Sequence, residues 1–180
     1  MPGFLITTSH KPSQRTRSFI KDLASILPGS THINRGKKTI EELGLEAYRR
    51  GYKFFIIIGE RKGNPSLMRI YKIFPYMKPP EIKHVMSVVI KGITLSRENP
   101  EASKVYNPET IGINYDKCEQ DQCFKLADLF IEVFQDIITA NPDITIMLIE
   151  KKDRILFKAV NKLGKTCGPL IRIKGVKFIE

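Results

Sequence analysis

The 180-residue chain contains no tryptophan, four glutamines, three histidines and three cysteines. The cysteine count is odd, and Met1 to Ser9 lacks the charged, apolar and cleavage regions of a secretory signal, which argues against a disulfide framework. Cys118 and Cys123 are separated by four residues with no second pair and no histidine nearby, poor spacing for zinc. Buried thiols are therefore the expected state. Richness in lysine and isoleucine with so few glutamines also suits a thermophile, whose intracellular proteins do carry disulfides, and this leaves a Cys118 to Cys123 bridge open. No stretch approaches the roughly 18 consecutive apolar residues of a membrane helix, so a soluble, cytoplasmic protein is expected.

Signatures of catalysis are missing too. There is no HExxH pair, no GxSxG elbow and no DxD-type cluster, and His10, His32 and His84 are scattered along the chain. Gly59 to Ser66, GERKGNPS, lacks the GK[ST] end of a P-loop, and no GxGxxG follows a strand. The expectation is a binding protein with no catalytic residues, no metal ligands and no cofactor. Two rivals stay open: a phosphate-clamping RNA-processing enzyme using Arg35, Lys37 and Lys38, and a tRNA-binding accessory module.

What the chain does have is positive charge. Thirty Lys and Arg against 19 Asp and Glu leave +11, which favours polyanionic partners, nucleic acid before membrane. The excess is uneven: residues 1–77 hold 14 cations and 5 anions, and residues 78–180 hold 16 and 14. RNA binding is accordingly expected in the first half, through phosphate neutralisation, with His10 and Tyr76 as candidates to stack on bases.

The densest basic stretch is INRGKK, Ile33 to Lys38, where Arg35, Lys37 and Lys38 flank a glycine. Thr39 and Glu42 after it form a T-x-x-E capping box, which places these cations at the start of a helix, where free backbone NH groups and the dipole favour an anion. The plainer alternative is a solvated basic turn. Lys11, Arg15 and Arg17 stand at the start of another predicted helix, where cations oppose the dipole, so a partner is expected to supply the negative charge. Arg49 and Arg50 sit at a helix C-terminus and are explained by the dipole alone. Arg61 and Lys62 mark a predicted hairpin tip. The expected RNA-binding set is thus His10, Lys11, Arg15, Arg17, Arg35, Lys37, Lys38, Arg61 and Lys62.

Periodicity predicts strands at Phe4–Thr8, Ser30–Asn34, Phe54–Ile58, Leu67–Phe74 and His84–Leu95. Helical stripes run through Phe19, Ile20, Leu23, Ala24 and Leu27, and through Ile40, Leu43, Ala47 and Tyr48. Lys78 to Pro80 is the predicted seam between two halves, 1–77 and 78–180, and Ser96 to Pro108 reads as a loop. An amphipathic helix is predicted over Phe124–Ile138, with Phe124, Ala127, Phe130, Ile131, Phe134, Ile137 and Ile138 inward. Three strands should follow, from ITIMLIE, ILFKAVN and PLIRIKGVKFIE. The predicted class is α/β, as two similar halves with mixed sheets and packed helices.

ITTS, PSQRTRSFIKDL, INRGKK opening a helix, then a hydrophobic strand and GERKGNPSLMRI resemble, in order and spacing, the Brix-domain family, and the terminal GPLIRIKG looks like the strand that closes that domain. One departure is Met77-Lys78-Pro79-Pro80, where many relatives have Gly-Pro-Thr. The resemblance implies a single domain of two halves, each similar to the anticodon-binding domain of class II aminoacyl-tRNA synthetases. It further implies a role in ribosome biogenesis, with ribosomal or precursor RNA as ligand and other assembly proteins as possible company. Without the long charged extensions of many eukaryotic members, the chain looks like the minimal archaeal form.

Overall fold

The computed structural model describes residues 1–179. Twelve main elements follow in chain order: β1 (Leu5–Thr8), α1 (Gln14–Ile26), β2 (Thr31–His32), α2 (Ile40–Arg49), β3 (Phe54–Arg61), β4 (Asn64–Phe74), β5 (Glu81–Thr94), β6 (Ile111–Lys117), α3 (Asp121–Phe134), β7 (Ile144–Lys151), β8 (Arg154–Asn161) and β9 (Thr166–Phe178). All strands join one mixed sheet in the order β2-β1-β3-β4-β5-β9-β8-β7-β6. Where separate sheets are expected from the sequence, antiparallel pairing of β5 with β9 from Met86↔Phe178 to Thr94↔Leu170 makes one. Lys78 to Pro80 lies in the turn between β4 and β5, which pair along most of their length, so the ladder continues across those prolines.

A repeated pattern underlies the sheet. In the first half β1 is parallel to β3, and β4 and β5 extend the sheet antiparallel. In the second half β6 is parallel to β7, with β8 and β9 antiparallel beyond it. The strand order of the second half is that of the first reversed, with β5 and β9 at the centre.

The helices follow from the connections. From β1 the chain steps outward to β2 and then back past β1 to β3, and right-handed crossovers in opposite directions place their helices on opposite faces. Phe19, Ile20, Leu23 and Ile26 of α1 pack with Phe4, Ile6, Phe54 and Ile56, whereas Leu43 and Ala47 of α2 pack with Leu5, Phe55 and Ile57. Alternate residues of β3 thus enter different cores, which is why FFIII is buried throughout. Each large apolar side chain so buried contributes about 1.5–3 kcal/mol. Gly44 lets α2 approach closely, since a Cβ there would run into the side chain of Ile82.

Helix α3 lies on the same face as α1, and Phe4 meets Phe130 and Phe134 edge to face at 6.2 and 5.9 Å. It starts three residues earlier than predicted and ends at Phe134 in a 3-10 turn. Its buried stripe is Cys123, Leu126, Ala127, Leu129, Phe130, Val133 and Phe134; Phe124 and Ile138, expected in the core, are 40% and 39% exposed. The stripe is rotated by about one position because Leu126, Leu129 and Val133 offer as much apolar surface as the residues first read. Strand β6 carries no sequence signal of its own: it is an edge strand whose pattern is diluted by Gly112, Asn114 and Asp116.

The Cys118 and Cys123 thiols expected from composition are instead a disulfide, while Cys167 is free and buried. The turn from β6 into α3 brings the two Cα atoms to 5.4 Å, well inside bridging range. Closing so short a loop removes chain entropy from the unfolded state worth about 2 kcal/mol. Cys123→Ser should therefore lose about 2 kcal/mol in urea unfolding under non-reducing conditions, and most of the difference from wild type should vanish when wild type is reduced.

Candidate nucleic-acid interface

The parallel strands β1 and β2 end side by side, and their following loops diverge to helices on opposite faces of the sheet. Such a switch point opens a crevice beyond the carboxyl ends of the strands. Here the crevice is a cleft of about 590 Å³ between the loops, with His10, Lys11, Arg17, Asn34 and Lys37 among its lining. The two loops touch where the His10 imidazole Nδ1 lies 3.1 Å from the Gly36 carbonyl oxygen. Lys11 adopts a left-handed backbone, φ 54°, which turns the chain from β1 toward α1. His10, Lys11, Arg17 and Lys37 are all exposed.

The nine sequence-predicted residues do not share one role. Arg35, central to the expected phosphate clamp, is 6% exposed: its Nε donates to the Lys38 carbonyl at 2.8 Å and its Nη1 to the Thr8 carbonyl at 3.1 Å. It fastens the INRGKK loop to the end of β1 and holds Lys37 in place. Burial first, then the charge of Arg69, pushes its guanidinium below its usual pKa, with Tyr71 acting in the opposite direction. Arg15 reaches Glu98 at 2.6 Å and the Ile93 carbonyl at 3.1 Å, so its charge is spent within the protein. Arg17 bonds only neutral acceptors, the Pro12 carbonyl and Gln14 Oε1. Among the described residues, Lys11, Arg17, Lys37, Lys38, Arg61 and Lys62 form no ion pair with a carboxylate. Arg61 and Lys62, at the β3–β4 tip, come beside the start of α1 because Ser13 Oγ donates to the Gly63 carbonyl at 2.8 Å. Tyr76 lies at the opposite end of β4 from the cleft, 89% exposed.

The helix N-termini are not free for an outside anion either. At α1 the Ser13 NH and the Thr16 hydroxyl donate to the Glu60 carboxylate, which also lies 3.0 Å from Ser13 Oγ. At α2 the Thr39 hydroxyl caps the Glu42 NH, with Glu41 and Glu42 in the first turn. The negative charge expected from a partner at α1 is internal, and Glu60 is the residue that sequence reasoning missed. Its only signal is a lone acid at the end of a buried strand beside a basic tip. The Thr16 hydroxyl holds the Glu60 carboxyl below its ordinary pKa, helped by Ser13 and by Arg17 and opposed by burial.

Two outcomes follow. Arg35→Ala should lower stability by about 2–3 kcal/mol in urea unfolding because it strands two carbonyl acceptors, Arg35→Lys should recover little of it, and Lys37→Ala should stay within about ±0.5 kcal/mol. The depressed folded-state pKa of Glu60 means its contribution is complete above the ordinary glutamate pKa and is lost as pH falls through the folded value. Thermal midpoints from pH 7 down to pH 2 should therefore show a shallower acid limb in Glu60→Gln than in wild type.

No family model matches the chain. A probable Brix domain-containing ribosomal biogenesis protein of Pyrobaculum aerophilum is 32% identical over 188 residues, covering 97% of this chain and 94% of that protein. One of the same description from Aeropyrum pernix is 43% identical over 93 residues, 52% of this chain and 50% of the relative, so the chain spans about half the length of the first curated relatives it matches. Among solved structures, a probable ribosomal biogenesis protein from Aeropyrum pernix superposes with a TM-score of 0.79 at 28% identity, covering 95% of this chain and 96% of that one. Mil, an archaeal Imp4-like protein, shares the fold, with a TM-score of 0.69 at 20% identity. With a nine-stranded mixed sheet, a basic cleft at its switch point and a relative matched along nearly its whole length, the chain belongs to the family of Brix domain-containing ribosomal biogenesis proteins.

Proposed function

We propose that the protein is a cytoplasmic ribosome biogenesis factor that binds ribosomal RNA or its precursor through the cleft at the ends of β1 and β2. The observation that carries this reading is the grouping of Lys11, Arg17 and Lys37, exposed and without a carboxylate partner among the described residues, around one cleft on a chain of +11. Lys38, Arg61 and Lys62 extend the positive edge at the same end of the sheet, and His10 offers an exposed ring in the cleft lining. Arg35 fastens one wall of the cleft to the end of β1, while Arg15 and Glu60 are engaged by partners within the protein. Phosphate contacts of this kind position RNA without reading its sequence, so structured RNA is the fitting ligand. Each half, with its parallel pair extended by antiparallel strands, serves in this reading as a unit akin to an anticodon-binding domain. The relatives' description as ribosomal biogenesis proteins supplies the process.

The test compares Lys11→Ala, Arg17→Ala and Lys37→Ala combined with a control in which Arg49 and Arg50 are both reversed in charge. On one precursor rRNA fragment, filter binding at several salt concentrations should show the triple variant weakened about equally across sequences. Its slope of log affinity against log salt should be flatter by up to about three units. Wild-type binding by the triple variant alongside failure of the Arg49 and Arg50 variant would move the RNA surface to the other end of α2.

A further inference from the structure

The basic cleft is continued along α1. Ile20 and Ile33 line the cleft, and their chain neighbours Lys21 and His32 line an open groove of about 650 Å³ that follows it. The groove joins the two halves: α1 and β2 of the first half form one wall, and residues 105–109, in the connection from β5 to β6, form the other. Thr31 Oγ1 lies 2.9 Å from the Tyr52 hydroxyl, in the core on the α2 side, so His32, next along β2, turns to the α1 side. Arg17 and Lys21 are four residues apart and share one face of the helix.

The connection from β5 to β6 is held on both sides of Tyr106. The Ser103 NH donates to the Thr166 carbonyl at 2.8 Å, Val105 packs against the main core, and the Glu109 NH donates to the Asp143 carboxylate at 2.9 Å. Tyr106 is nevertheless 81% exposed, and among the described residues its ring stacks on no other aromatic side chain. A ring that the fold neither buries nor pairs, carried on an anchored loop, offers a preset face for stacking.

The groove is also positive. Lys21 and Lys104 are exposed and form no ion pair among the described residues. Asp22, beside Lys21, is occupied, since its Oδ2 accepts from the Ser96 NH at 2.8 Å. Glu109 is exposed, so the positive stretch ends beyond Tyr106. Unpaired lysines suit any polyanion, and the rings decide between them. An acidic peptide would engage the cations and leave Tyr106 and His32 idle. An unpaired RNA strand uses both, its phosphates on the lysines and its bases on the rings, whereas the bases of a duplex are already stacked and paired. Helix α1 rises about 1.5 Å per residue, so Arg17 to Leu27 spans about 15 Å, the length of about four stacked nucleotides.

We propose that the groove between α1, β2 and Tyr106 holds a single-stranded segment that runs out of the structured RNA in the cleft, with a base stacked on Tyr106 and phosphates on Lys21 and Lys104. This rests on RNA binding in the cleft and makes the ligand an RNA helix with an unpaired tail.

The probes are RNA duplexes of one sequence: blunt, carrying an unpaired tail of about four nucleotides on one strand end or the other, and carrying an abasic tail of the same length. By fluorescence anisotropy the wild-type chain should bind one of the tailed duplexes at least about ten-fold more tightly than the blunt one, and the abasic tail should lose most of that gain. Tyr106→Ala should reduce the tailed duplex to the affinity of the blunt one without changing the blunt one, and Tyr106→Phe should keep the preference. Lys21→Ala with Lys104→Ala should weaken the tailed duplex more than the blunt one. All variants should keep the wild-type circular dichroism spectrum, because the altered side chains are exposed. Equal affinity of the wild type for tailed and blunt duplexes, or a preference that survives Tyr106→Ala, would overturn the inference and leave RNA binding in the cleft standing. Failure to bind any of the duplexes would overturn both. Displacement of the tail by a polyglutamate peptide as readily as by an unpaired oligonucleotide would assign the groove to an acidic protein segment and overturn it equally.

Discussion

The pairing of β5 with β9 is the contact on which the rest of the structure depends. It lies at the centre of the sheet and joins two strand sets that would otherwise each present an open edge. Because it merges them into one surface, α1 and α3 can share a single core. Leu23 and Leu27 from α1, Leu126 and Phe130 from α3, and Val88 and Ile173 from the two central strands all meet around one point. Neither helix would bury its stripe fully on its own half. Stability is therefore distributed across the junction, and the long-range pairing of β5 with β9 is the constraint that makes this possible.

The same sheet positions the basic cleft through its first two strands. Their parallel alignment sends one loop to each face, and the gap between those loops is a product of topology. Around it, charges of opposite sign have separate tasks. Glu60 satisfies the start of α1, Glu98 holds Arg15, and the Thr8 and Lys38 carbonyls hold Arg35. Internal partners absorb the cations that shape the loops, and the remainder, Lys11, Arg17 and Lys37, are left facing solvent. A buried arginine among carbonyl oxygens is a fixed hinge for the loop, whereas a solvated lysine retains the mobility that nonspecific phosphate contact requires.

The halves share a strand pattern but not a surface. One carries α2 and the basic cleft; the other lacks the corresponding helix and leaves half-buried apolar side chains beside cations on that face. Net charge counted along the sequence hides this. Residues 78–180 are close to neutral in sum, yet their acids concentrate in loops and on α3 while the outward positions of β8 and β9 keep only cations. A sum over a segment cannot report which face of a strand a charge occupies.

Much of the fold was legible because the decisive signals are local. FFIII declares a strand buried on both faces, and Thr39 with Glu42 announces a helix start. The order of the motifs sufficed for the family. What the residues alone could not settle was decided by contacts distant in sequence. Glu60 caps a helix that begins 47 residues earlier, and Arg15 meets an acid 83 residues away. The Cys118 and Cys123 bridge depended on how tightly β6 turns into α3. Composition and periodicity determined that this chain is a basic α/β protein with its loops of interest before α1 and α2. Tertiary structure decided which of those cations remain available and that the sheet is single, because burial and charge pairing depend on neighbours that only the folded chain brings together.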